Sequence, residues 1–133
     1  MGLIIDTNVL IRAERAGTQM DFAQWADYGD AYLSLVTVGE LLLGVHRPDN
    51  EARRSRRSAF VEQVIAGIPA LDYTTGVARV HAEIFATLAG RGELIGPHDL
   101  IIAATAVHHG YALLTSNADE FNRVEGLEVV ECR

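Results

Sequence analysis

Residues 2–5 read Gly-Leu-Ile-Ile, an apolar run with no polar alternation, and it stops abruptly at Asp6, Thr7 and Asn8. A strand that is apolar on both faces must be covered on both faces, which is the situation in a parallel sheet held between helices. The pattern recurs along the chain. Strand-like runs are expected at Leu3–Ile5, Ala31–Val36, Ile68–Leu71, Tyr111–Leu114 and Leu127–Val130. Helical patterns separate them at Val9–Arg15, Thr37–His46, Glu51–Ala66, Val77–Gly90 and Leu100–His109. Val77, Val80, Ile84 and Leu88 keep helical spacing, with Arg79, His81 and Glu83 interleaved. Leu100–Val107 is apolar nearly all round, as suits a helix pressed between a sheet and its neighbours, and Gly110 supplies its stop. Strand and helix alternate over 133 residues without repeat or linker. The expectation is one domain, residues 1–133, of class α/β: three α/β/α layers around a central, mainly parallel five-stranded sheet.

Composition removes several classes of function. With 49% hydrophobic residues the chain has the material for a core and is not disordered. No apolar stretch approaches the ~20 residues of a membrane span, and the N-terminus lacks the basic flank of a secretory signal. The lone Cys132 cannot close an internal disulfide, which fits a reducing, cytoplasmic setting. A net charge of −7 argues against holding nucleic acid by bulk electrostatics. All eleven basic residues are arginine, however, and four crowd together as Arg53, Arg54, Arg56 and Arg57. At about 100° per residue such a run spreads over half a helix circumference. It reads either as a solvated face or as a phosphate-gripping patch, because arginine forks match phosphate oxygens.

In open α/β sheets ligands bind beyond the carboxyl ends of the strands. Asp6, Glu40, Asp99 and the stretch Asn117–Glu120 each follow an apolar run and belong to that edge. Each also has a local structural account. Asp6 or Asn8 could cap the helix starting near Val9. Thr37-Val-Gly-Glu40 has the form of a capping box, Asp99 heads an apolar helix, and Ser116–Asp119 opens like a cap. Caps explain the residues singly, but not why four sheet-edge segments all carry them. Gathered acids repel one another unless a cation joins them, and a hard ion such as Mg²⁺ needs only a few carboxylates plus a substrate phosphate. His98 reads as a surface residue or a phosphate contact. His108 and His109 sit where a helix dipole favours positive charge, and as neighbours they cannot face one ion together. Zinc-type spacing, a phosphate-cradling glycine loop and a Gly-x-Ser-x-Gly turn are all missing from the sequence.

Four ordered blocks, IIDTNVLI, SLVTVGELLLGV, GPHDLIIAATA and LLTSNADEFNRVEGLEVV, resemble the PIN-domain ribonucleases and in particular VapC-type toxins. The resemblance covers nearly the whole chain. It implies a Mg²⁺-dependent (or Mn²⁺-dependent) endoribonuclease, the toxin of a type II toxin–antitoxin pair, cutting RNA to leave a 5′-phosphate and a 3′-hydroxyl. Asp6, Glu40 and Asp99 match the family's metal-binding acids; Asn8 and Thr115 match polar residues that orient the site. The family's fourth acid falls here on Asn117, so Asn117 itself, Asp119 or Glu120 must fill that role, and one ion should be held better than a second. The tail pattern of Thr115, Asn117, Glu120-Phe121 and Gly126-Leu127 is similar to the branch that cuts tRNA. A small VapB-type antitoxin that sends a basic side chain to the acids, and a homodimer, are the implied partners. Two other classes fit the sequence less well: a non-catalytic RNA- or protein-binding module, which has no need of three like charges in one cleft, and a phosphotransfer domain using Asp6 as acceptor, which requires an aspartate where Asn8 stands.

Overall fold

The computed structural model describes residues 1–18 and 20–133. The elements run β1 (Gly2–Ile5), α1 (Thr7–Ala16), a 3₁₀ segment (Ala23–Tyr28), β2 (Asp30–Ser34), α2 (Leu35–Val45) and α3 (Glu51–Gly67). There follow β3 (Ala70–Leu71), α4 (Thr75–Gly90), α5 (Pro97–His109), β4 (Ala112–Thr115), α6 (Ala118–Phe121) and β5 (Val129–Glu131). The strands form a five-stranded sheet in the order β3-β2-β1-β4-β5, and every pairing is parallel. The expected α/β/α class holds, and the mainly parallel sheet is parallel throughout.

Side-chain alternation along the two central strands explains why helices lie on both faces. Leu3 and Ile5 of β1, with Ala112 and Leu114 of β4, join a core with Val9, Leu10, Leu41, Val61 and Val64 from α1, α2 and α3. Ile4 and Leu113 point the other way, into a core with Val77, Ile84, Leu88, Leu100, Ala103 and Phe121 from α4, α5 and α6. From β1 the chain moves outward through β2 and β3, then returns to β4 and β5 on the other side. That reversal makes the carboxyl ends of β1 and β4 the crevice where such sheets take ligands.

Three local expectations are corrected. The second strand stops at Ser34, whose extended backbone (φ −73, ψ 143) starts α2 at Leu35, two residues before Thr37. Thr37 and Glu40 therefore lie inside a running helix and form no capping box. Asp99 is not the cap of α5 either: Gly96 is, with Pro97 as first helical residue and Asp99 within the first turn. The 3₁₀ segment at Ala23–Tyr28 has no counterpart among the expected elements. Among the described residues no helix is long and apolar enough to cross a membrane.

Candidate functional site

Asp6 directly follows β1 and is 2% exposed. Its N–H donates to the carbonyl of Leu114 at 2.9 Å, which extends the β1–β4 ladder by one residue and fixes its height at the sheet edge. It occupies the N-cap position of α1 without making a side-chain capping bond, so its carboxylate is left for other partners. One is Thr115, fully buried at the end of β4, whose Oγ1 donates to Asp6 Oδ2 at 2.8 Å. The same Oγ1 accepts the N–H of Asn117 at 2.9 Å. A hydroxyl has one proton, and with the Asn117 amide occupying a lone pair that proton is aimed at Asp6.

A second relay holds Glu40. Thr7 Oγ1 lies 2.8 Å from Glu40 Oε1 and 3.0 Å from Thr37 Oγ1. A carboxylate can only accept, so Thr7 gives its proton to Glu40 and takes that of Thr37. Both threonines are buried. The other Glu40 oxygen, Oε2, is 3.2 Å from His98 Nδ1 on half-exposed His98. Neither Thr7 nor Thr37 was singled out in the sequence for a role at the site. The signal for Thr7 was its position directly after the acid at a strand end; that of Thr37 was hidden by its resemblance to a cap.

Asp99 comes from α5, on the opposite side of the sheet from α2. Its Oδ2 folds back to 3.2 Å from where a Cβ on Gly96 would stand, a close approach that a side chain there would push back by a few tenths of an ångström. Burial pushes the Asp99 carboxyl up to about 6, with the charges of Asp6, Glu120 and Glu40 adding to the effect and His98 opposing it. Burial also raises Asp6; the Thr115 hydroxyl and the amides of Thr7 and Asn8 oppose this, while Glu40 reinforces it. Asp6 just before α1, Glu40 of α2 and Glu120 of α6 thus act on Asp99 of α5 across the sheet edge. A cavity of about 280 Å³, lined by Glu40, Gly96, Pro97, His98 and Asp99, opens this edge to solvent.

The remaining expected residues divide. Glu120 acts electrostatically on Asp99; Asp119 is exposed and is not among the charges that raise Asp99. Asn117 is the N-cap of α6 with no side-chain capping bond, and its backbone serves Thr115. Asn8 is exposed on the first turn of α1. Arg54 is tied to Glu51 at 3.1 Å and to the Pro48 carbonyl at 2.8 Å. Arg57 is tied to Glu14 at 2.7 Å, whereas Arg53 and Arg56 are exposed.

The acids at the edge offer oxygen donors, with the His98 imidazole beside Glu40, a set without thiolate that suits a hard cation. Among the described residues no three His, Cys, Asp or Glu side chains are drawn close enough to hold an ion as a group. A hard divalent cation does not require that, since it is held by one or two carboxylates with water and phosphate. Asp99, raised by burial and by the charges of Asp6, Glu120 and Glu40, carries the charge such an ion would relieve. The residues fit the group.

The PIN domain description matches residues 3–127. The chain is 43% identical over 130 residues to the ribonuclease VapC1 of Rickettsia felis, covering 98% of this chain and 96% of that protein. It is 32% identical over 127 residues to the tRNA(fMet)-specific endonuclease VapC of Shigella flexneri, covering 93% and 92%. The structure superposes with a TM-score of 0.86 on the crystal structure of DNA-bound VapBC from Salmonella typhimurium, at 28% identity and 98% coverage of both chains.

Proposed function

The chain belongs to the PIN-domain family, among its VapC ribonucleases, and from that membership we propose a Mg²⁺-dependent endoribonuclease that acts as the toxin of a VapBC-type pair in the cytoplasm. PIN nucleases generally use divalent metal. Here Asp6 and Asp99 would hold Mg²⁺, or Mn²⁺ in its place, with Glu40 the third acid and Glu120 taking the part of the missing fourth. The observation that carries the reading is the gathering of these carboxylates at one sheet edge, where the charges of Asp6, Glu120 and Glu40 add to the burial that raises Asp99 to about 6.

Each protein group has a definable task. Thr115, oriented by the Asn117 amide, donates to Asp6 Oδ2 and so fixes how that carboxylate is turned at the edge. Thr7 and His98 hold the two oxygens of Glu40, placing that carboxylate to accept a proton from an attacking water or to orient it. Bound between the acids, the cation would lower the pKa of that water and offset charge building on the phosphate. In-line attack on the phosphodiester would leave a 5′-phosphate and a 3′-hydroxyl.

The Shigella relative makes initiator tRNA the first substrate to try. The solved VapBC complex supports a VapB-type antitoxin as inhibitor, and an acidic edge is complementary to a basic inhibitor segment. A homodimer is proposed with it. The decisive experiment maps RNA ends after incubating tRNA with the purified chain and Mg²⁺, beside Asp6→Asn. Wild type should yield discrete 5′-phosphorylated fragments, and the variant should cut on the order of a hundred-fold more slowly or worse. Equal cleavage by both would overturn the reading.

A further inference from the structure

The four-arginine run separates into two kinds of residue. Arg54 and Arg57 are engaged within the fold, Arg57 bridging α3 to Glu14 of α1 at 2.7 Å. Among the described residues the guanidiniums of Arg53 and Arg56 form no ion pair or side-chain hydrogen bond, and neither does Arg15 in the last turn of α1. These three meet Arg57 and Phe60 around a recess of about 470 Å³ between the two helices. Among the described residues, the one carboxylate lining it is Glu14, which is already spent on Arg57. In a chain of net charge −7 without lysine, three unpaired guanidiniums converging from two elements form a local excess of positive charge.

Glu14 lies eight residues after Asp6 along α1, about 12 Å at 1.5 Å per residue. The recess is therefore not part of the acid cluster, and it meets a different stretch of any polymer held there. Resting on the nuclease reading above, we propose that Arg15, Arg53 and Arg56 form a second RNA contact, gripping backbone phosphates away from the scissile bond. The acid edge by itself repels RNA. A cationic recess two helical turns away offsets that repulsion and holds a folded substrate in register, because phosphate contacts position without reading sequence. The forked guanidinium geometry suits phosphate better than a lysine patch would.

The test is fluorescence anisotropy of a labelled tRNA transcript with the full chain in chelator, over a series of salt concentrations. The Arg53→Gln/Arg56→Gln variant should bind about ten-fold more weakly at low salt. Its slope of log affinity against log salt should be shallower by about 1.5, as each lost phosphate contact removes roughly 0.7–0.9. Both residues are exposed, so folding should not intervene. Arg79→Glu, on exposed α4 surface, makes the same change in net charge and should cost far less. Unchanged affinity and slope in the double variant overturn the proposal, as does an equal loss from Arg79→Glu. Binding of poly-glutamate that depends on Arg53 and Arg56 while RNA binding does not also overturns it, since the recess would then receive an acidic polypeptide. If RNA binds with the expected dependence but is never cut when Mg²⁺ is supplied, the nuclease reading fails and this one stands.

Discussion

The two threonine relays are where single atoms control the candidate chemistry. Thr115→Val keeps the shape of a fully buried side chain but removes the proton given to Asp6 and the acceptor used by Asn117. RNA cleavage should fall about 10–100-fold, the usual effect of losing a group that orients a ligand, and a gel assay with an unchanged circular dichroism spectrum would check it. Asp99 gives a prediction of opposite sign for stability. Its folded carboxyl titrates near 6 against an ordinary 3.8, so between those values the native state binds more protons than the unfolded one. Stability contributed by this group therefore falls as pH rises from about 4 to 6 and stays low above. In chelator, Asp99→Asn should raise Tm at pH 7.5 by a few degrees (roughly 1 kcal/mol) and flatten the decline across that window, while abolishing cleavage. A Tm lowered at pH 7.5 would contradict the mutual repulsion of the acids. These acids were legible in the sequence because they interrupt apolar runs. What was not legible was the absence of capping at Asp6 and Glu40, since a cap and a free carboxylate have the same letters.

At the scale of elements, the site depends on strands ending at the right residue and helices starting on the next. Asp6 and Ser34 both hold extended backbone directly before a helix begins. This brings Thr7, the first residue of α1, against Thr37 and Glu40 of α2. The expected strand to Val36 missed that junction because Leu35 and Val36 are as apolar as the strand before them. The entry to β2 is just as tight: Gly29 has φ +104, and a Cβ there would stand 2.8 Å from the Met1 backbone. Gly29→Ala combines a positive-φ penalty with an immovable neighbour and should cost about 2–3 kcal/mol. Denaturant unfolding would show it as a lower midpoint with an unchanged slope. Arg57 joins α3 to α1 and also donates to the Gly44 carbonyl at 3.4 Å. The sequence listed four equivalent arginines in one run; only packing distinguished Arg57, which holds helices together, and Arg54, tied within its own helix and the loop before it, from the two left facing the recess.

For the molecule as a whole, metal affinity and folding are linked. An ion that binds only the folded chain stabilises it by about 2.7 kcal/mol at a hundred times its Kd. Adding millimolar Mn²⁺ at pH 7.5 should thus raise Tm over that in chelator, and Asp6→Asn should remove the gain. At pH 5 the gain should shrink, since Asp99 then holds a proton that the ion must displace. A Tm shift equal at both pH values would separate metal binding from these acids.

The letters alone determined the layers and their contents. Unalternated apolar strands demand cover on both faces, helices of matching period supply it, and acids placed just past such strands belong at one edge of the sheet. Tertiary structure decided which acids act on one another and which hydroxyl serves each. Asp6, Glu40, Asp99 and Glu120 are up to 114 positions apart in the chain. Their coupling depends on strand order and on the residue at which each helix begins, and neither is recorded in the spacing of one segment.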